Sequence, residues 1–404
     1  MSSDKSSGYT IFRLAEDYPQ NGKPSYGLQP VFYYLSREQA KLGNDVHVIS
    51  RRKAGAISFE QIEGVSVHRV NEPFSYNALQ FIRREKGNYR NSIIHTHSTS
   101  GAILGFTRSI LDVPMVSQVH GSSISRHMPV KLDLDGTNLT YSASKTWYYY
   151  FRERFLWSSA DRIAAVSGAI KSDLFTCYRI PKERIDVVYN GVDTQLFRPL
   201  NDPILPDRVR EAIGGMKVVL YVGHFGPRKG VGLLVRAMSR VLIKVPNAIL
   251  VCIGGVPKWL GGDNSYWNQI QETIRREGLD GKILLLDRVS NDELPNYYAA
   301  ANVFVLPSYY ESFAKVVAEA MACMRPVVVT RGGGIDEVVE DGVSGIKVGY
   351  GSVESLAEAI VEILSDENLG RKMGERGRQK VEAEFTWDSV AQRVNQIYDR
   401  IFLK

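Results

Sequence analysis

Asn302-Val303-Phe304-Val305-Leu306-Pro307-Ser308-Tyr309-Tyr310-Glu311-Ser312-Phe313-Ala314-Lys315-Val316-Val317-Ala318-Glu319-Ala320-Met321-Ala322 decides how this chain is read. The first five residues form an apolar run of the kind that a parallel strand buried on both faces requires. A helix pattern follows, so Tyr309 to Phe313 make the loop at the strand's carboxyl end, where ligands of open α/β sheets bind. Glu311 stands just before the predicted helix and Glu319 about a turn and a half inside it, among Val, Ala and Met. An unpaired buried carboxylate costs roughly several kcal/mol or is neutralised, so Glu319 needs a partner. A ribose diol is one such partner and an ion pair on the helix is another, while Glu311 read alone also fits a solvated loop. The amides of Phe313, Ala314, Lys315 and Val316, at the positive end of the helix dipole, suit a phosphate.

The spacing of these carboxylates resembles the Glu-x7-Glu signature of the retaining glycosyltransferases of family 4, the glycosyltransferase group 1 enzymes. The resemblance extends along most of the chain. Downstream, Ala322-Cys323-Met324-Arg325-Pro326-Val327-Val328-Val329-Thr330 and Gly332-Gly333-Gly334-Ile335-Asp336-Glu337 are similar to the family's next strand and its glycine loop. Upstream, Ala160-Asp161-Arg162-Ile163-Ala164-Ala165-Val166-Ser167 and Tyr189-Asn190-Gly191-Val192-Asp193 through Pro199 are similar to its domain-junction motifs. The resemblance implies an α/β chain of the GT-B fold, with two doubly wound Rossmann-like domains facing each other across a cleft.

The pattern along the chain agrees with two such domains. Apolar runs alternate with helical patterns, as a covered parallel sheet requires. In the first half the strands read as Tyr9–Leu14, Val46–Ser50, Ile93–His97, Met115–Gly121, Ile163–Ser167 and Ile185–Tyr189, with a helix from Pro30 to Leu42. The Pro- and Asp-rich break from Phe197 to Pro206 reads as the linker. A second cycle opens with Val218–Gly223 and Ala248–Gly255. The expected division is 1–198 for an acceptor domain and 199–386 for a nucleotide-sugar domain. Val390, Val394, Ile397 and Ile401 at helical spacing make the closing segment a helix, and the resemblance to GT-B enzymes implies that it returns 387–404 to the first domain.

Composition excludes several other classes. The 404 residues suffice for two cores, and 44% hydrophobic with 23% charged residues is globular. No apolar run reaches the length of a membrane span, and the polar start Met1-Ser2-Ser3-Asp4-Lys5 does not read as a secretory signal. Cys177, Cys252 and Cys323 suggest neither a disulfide framework nor a metal site. A cytoplasmic location is therefore expected. The net charge of +6 favours anionic partners, but no nucleic-acid motif is present. Arg51-Arg52-Lys53 and Arg83-Arg84 are basic clusters, and Trp147 to Trp157 is an aromatic, basic stretch. That stretch reads either as a core-packing helix with a charged outer side or as a contact with an acceptor or an anionic inner membrane face.

The resemblance also implies site residues. Gly223-His224-Phe225-Gly226-Pro227-Arg228-Lys229-Gly230 follows a strand, so its cations stand at the carboxyl edge of the second sheet. Fixed cations there stabilise a diphosphate leaving group more in the transition state than in the ground state. Lys229 is the candidate, and His224 takes the place of the family's usual arginine, a charge that either it or Arg228 must replace. His120 at a strand end is expected beside the donor sugar, and His97 occupies a similar position. Glu311 is expected at the sugar hydroxyls and Glu319 at the ribose. Val289 near the base and Gly27 near phosphate or acceptor complete the set.

The implied reaction moves a hexosyl unit, with retained configuration, from a UDP- or GDP-sugar to a hydroxyl of a glycan, lipid-linked or small-molecule acceptor. No metal and no further cofactor are expected, since Asp133-Leu134-Asp135 falls in an insertion after Ser122 rather than at a strand end. A nucleotide-sugar 2-epimerase and a non-catalytic nucleotide-sugar-binding subunit are the alternatives.

Overall fold

The computed structural model describes residues 8–22, 24, 27–89, 91–98, 105, 111–124, 143–255 and 265–403. Asp133-Leu134-Asp135 and most of the insertion after Ser122 lie outside them. The chain divides into two compact units, with the crossing at Gly191–Val192 and the return at Thr386–Trp387.

In the first unit, Thr10–Leu14 (β1), Asp45–Arg51 (β2), Phe59–Ile62 (β3), Val65–Val70 (β4), Ser92–His97 (β5), Met115–Val119 (β6), Arg162–Ala165 (β7) and Ile185–Val187 (β8) form one sheet. Its order is β3-β4-β2-β1-β5-β6-β7-β8. All neighbours pair in parallel except β3 and β4, an antiparallel edge hairpin that the expectation of a parallel sheet did not include. The expected second-half strands recur in a six-stranded parallel sheet in the second unit. It comprises Lys217–Val222 (β9), Ala248–Ile253 (β10), Ile283–Leu286 (β11), Val303–Leu306 (β12), Val327–Thr330 (β13) and Gly345–Val348 (β14), in the order β11-β10-β9-β12-β13-β14.

The junction falls earlier than the 198/199 expectation because Val192 to Phe197 are fastened to the second unit. The Val192 amide donates to the Phe385 carbonyl at 2.7 Å, and the Arg378 guanidinium donates to the carbonyls of Thr194, Phe197 and Ala322. The helix Trp387–Phe402 belongs to the first unit. Trp387, Val390, Val394 and Ile397 share one core with Ile11, Ile93, Val116 and the helix Gln29–Lys41. Trp387 stacks on Tyr34, and a side chain on Gly191 would place its Cβ 2.3 Å from the indole, so glycine is required there.

The basic clusters are largely matched by carboxylates. Arg51 pairs with Glu16 and Glu72, Lys53 with Asp17 and Arg84 with Glu85. The helix Ala143–Ser159 buries Leu156 and Trp157, but its outer side is aromatic rather than charged, with Trp147, Tyr148 and Phe151 each about 60% exposed. Among the described residues no helix is long and apolar enough to cross a membrane.

Replacing Trp387 by Ala removes the largest side chain that the returning helix places in this core. A loss of about 3–5 kcal/mol is expected, seen as a lower denaturation midpoint and lost amide protection in β1 and β5. Unchanged protection there would show that the first unit holds together without this contact.

Candidate active site

Backbone approaches that exclude side chains build the carboxyl edge of the second sheet. After β9 the chain turns through a short 3-10 turn, Pro227–Lys229, into the helix Val231–Lys244. Gly230 between them has φ +68°, and a Cβ there would lie 2.0 Å from the Pro307 carbonyl oxygen. Tyr309 donates its amide to the Arg228 carbonyl at 2.9 Å, so the loops after β9 and β12 are clasped together. On the other side, a Cβ on Gly254 after β10 would meet the Gly223 carbonyl oxygen at 2.0 Å. After β13, the Glu311 amide donates to Gly332 and the Glu311 carbonyl accepts from Gly334, at 3.2 and 2.7 Å. The four loops are thus joined along this edge, and those after β9 and β13 both bond to Glu311.

The clasp brings Lys229 Nζ to 2.5 Å from Glu311 Oε1, with side chains 20% and 14% exposed. Burial pushes the Glu311 carboxyl up, but the Lys229 ammonium and the nearby Ser308 hydroxyl outweigh it, and the net position is below the ordinary value. Glu311 is therefore a half-buried, ion-paired residue rather than a solvated one. His224 lies in the same cluster. Burial, then the Lys229 charge, lowers it to about 4, so it is a neutral imidazole near pH 7. Arg228 is half-buried on the same turn.

Glu319 is 3% exposed on the helix Lys315–Ala322. Lys315 Nζ lies 3.1 Å from its Oε1, and the Tyr298 hydroxyl donates to Oε2 at 3.2 Å. Sequence reasoning did not single out Tyr298, and a tyrosine in an ordinary helix carries no signal that would have done so. Phe313 is a core residue whose ring packs on Phe385. Ala314 caps the helix at φ 62°, a left-handed conformation uncommon without glycine and frequent at ligand sites. Val289 is half-buried in the loop following β11.

Two other expected residues belong to the first unit. His120, just past β6, is 9% exposed, and its Nε2 lies 3.1 Å from His97 Nδ1 at the end of β5. Gly27 is exposed in the turn before the helix Gln29–Lys41, at φ +60°, where its lack of a side chain matters.

A chain with two such parallel-sheet units and an acid–base pair at a carboxyl edge has the build of a GT-B glycosyltransferase. The model for Glycosyltransferase Family 4 matches residues 26–196, and that for Glycosyl transferases group 1 matches residues 206–380. The chain is 30% identical to the alpha-maltose-1-phosphate synthase of Mycobacterium tuberculosis, over 97% of this chain and 99% of that one. It is 29% identical to the D-inositol 3-phosphate glycosyltransferase of Kribbella flavida, over 95% and 92% of the two chains. Among solved structures, sucrose-phosphate synthase from Thermosynechococcus elongatus is similar at a TM-score of 0.77 and 23% identity, covering 98% of this chain and 99% of that one. Anabaena HepE, solved with UDP and glucose, is similar at 0.73 and 19%, covering 96% and 98%. The protein belongs to the group 1, family 4 glycosyltransferases.

The Lys229–Glu311 pair gives a pH signature. Because the folded carboxyl titrates below its ordinary value, its stabilisation is complete above the ordinary carboxylate range and is lost as pH falls through the folded value. Glu311→Gln is expected to cost about 1–3 kcal/mol near neutrality by leaving Lys229 unpaired. Its denaturation midpoint should converge with the wild type as pH falls below the carboxylate range. A difference that persists after the folded Glu311 carboxyl has been protonated would show that the pair is not its source.

Proposed function

We propose that the protein transfers a hexosyl unit with retained configuration from a nucleoside diphosphate sugar to a hydroxyl of a small phosphorylated acceptor. The observation that carries this reading is the half-buried Lys229–Glu311 pair at the carboxyl edge, with the helix of Glu319 beginning just beyond it. The anomeric carbon–phosphate oxygen bond breaks, the bond from that carbon to the acceptor oxygen forms on the same face, and the acceptor proton passes to the leaving phosphate. Lys229, Arg228 and the amides of Ala314, Lys315 and Val316 neutralise the charge that develops on the diphosphate. Glu311 exchanges part of its bond with Lys229 for sugar hydroxyls, and Glu319 receives the ribose. His120 faces the sugar. With cations and amides already at the leaving group, no divalent ion is required. The small phosphorylated acceptor is supported by the names of the relatives, which include maltose-1-phosphate, inositol 3-phosphate and sucrose-phosphate enzymes.

The test is a screen of UDP-, GDP- and ADP-sugars against sugar phosphates and polyol phosphates, with and without chelator, and the product's anomeric configuration read by NMR. Inversion would refute the mechanism. Strict dependence on magnesium or manganese would refute the diphosphate site, and epimer or free sugar released without acceptor would favour the epimerase.

Variants separate the roles. Lys229 meets a group that gains charge as the bond breaks, so Lys229→Ala should lower kcat on the order of 100-fold or more with a smaller change in donor affinity. Glu319→Ala should weaken binding of donor and free nucleoside diphosphate together. Glu311→Ala should leave free-nucleotide affinity nearly unchanged and slow transfer. Calorimetry beside steady-state rates decides, and equal nucleotide affinity in wild type and Glu319→Ala would sink the ribose assignment.

A further inference from the structure

One face of the first sheet changes character along its strands. Beneath the helices Gln29–Lys41 and Trp387–Phe402 it begins apolar, with Ile11, Ile93 and Val116. Two residues further along the same strands stand Arg13, His95 and Gln118, and beyond these come His97 and His120. Register places Arg13 against His95 and His97 against Gln118 on neighbouring strands. All but His120 are at most 1% exposed. The imidazoles form a column, with His95 and His97 at 4.7 Å and 16°, and His97 and His120 at 5.4 Å and 14°. Phe32 closes on His97 edge-on at 4.8 Å.

Hydrogen bonding makes the column directional. The Arg13 guanidinium donates to Ser36 Oγ at 2.5 Å and to Gln39 Oε1. It also faces the Tyr398 hydroxyl. Arg13 can only donate, so the Tyr398 oxygen accepts from that side and its own proton points to His95 Nδ1, 2.5 Å away. The His95 proton therefore lies on Nε2, toward the Gln118 side chain. His97 Nε2 has no hydrogen-bond partner among the described residues. One ring of the bonded pair must carry its proton on the outer nitrogen, and a sealed-in N–H without an acceptor is the costlier case. His97 is 1% exposed and His120, at the end of the column, 9%, so the His97 proton lies on Nδ1, in the bond to His120 Nε2. Burial, followed for His95 by Arg13 and for His97 by its two histidine neighbours, holds both rings well below their ordinary titration range.

We infer that His97 is a positioning residue which donates from Nδ1 to His120 Nε2, fixing His120 as the Nδ1–H tautomer, and that Tyr398 of the returning helix holds the column in place from behind. This rests on the reading that places His120 at the sugar. The ring nitrogen that carries the proton is set by the bond that the other nitrogen makes, so His120 meets its ligand as a donor at Nδ1.

The experiment uses the full chain. Long-range proton–nitrogen NMR reads the tautomer of each of the seven histidines, assigned by single substitutions. Wild-type His120 should be in the Nδ1–H form. His97→Phe keeps the ring and removes the nitrogen, and it should shift His120 toward the Nε2–H form and lower kcat about 10-fold with donor KM within about 2-fold. His97→Asn, whose amide nitrogen can stand where Nδ1 stood, should restore both readouts, and His97→Gln should not. Tyr398→Phe should give a smaller shift in the same direction. An unaltered His120 tautomer in folded His97→Phe overturns the inference. Full transfer by His120→Ala overturns instead the placement of His120 at the reaction centre, and the tautomer spectra, recorded without substrate, still decide the relay.

Discussion

The ammonium of Lys229 and the carboxylate of Glu311 can meet at 2.5 Å only because two loops from distant parts of the chain touch backbone to backbone. Gly230 against Pro307 and Gly333 against Glu311 are contacts that a single methyl group would break. The charge of the site is consequently a property of the fold. The cation and the anion sit on different loops, and each is held by main-chain bonds that leave its side chain committed to the other. A pair kept partly from water is also strongly coupled, so whatever ligand engages one member alters the other.

The second carboxylate obeys the same constraint by a different route. Glu319 is nearly inaccessible, and Lys315 one turn earlier on its own helix neutralises it while Tyr298 supplies a neutral donor. Both acid–base pairs are therefore already balanced in the folded chain. His224, beside Lys229, adds no charge where the family's usual residue would, which leaves Arg228 as the additional fixed cation on that turn.

Much of this was legible in the sequence. The strand from Val303, the loop at Glu311 and the helix that follows it are legible in local periodicity. The spacing of Val390, Val394 and Ile397 makes the last segment a helix, while its return to the first unit was implied by the family resemblance. The β3–β4 hairpin was not, because Glu60 and Gln61 on a half-exposed edge give no apolar run. Pairing between Lys229 and Glu311, 82 residues apart, is fixed by tertiary register rather than by any local preference. The histidine column shows both sides of this. Strand-end positions of His97 and His120 can be read from their own segments, whereas their contact depends on how β5 and β6 align, and the Tyr398 contact spans 303 residues. The junction was displaced for a similar reason, since Arg378 holds the carbonyls that a linker reading leaves free.

The first unit is assembled from chain on both sides of the second, and this has a consequence for how the molecule is made. Its core lacks Trp387, Val390, Val394 and Ile397 until the entire intervening unit has been synthesised. At about 5–20 residues per second, that interval lasts roughly 10–40 s. Throughout it the groove along the helix Gln29–Lys41 stays open on a nascent chain. The second unit, continuous from Val192 to Thr386 among the described residues, can close as soon as it emerges. Translation thus favours a folding order opposite to the order of the sequence, and an open groove of this kind is a natural substrate for chaperones that bind apolar surface.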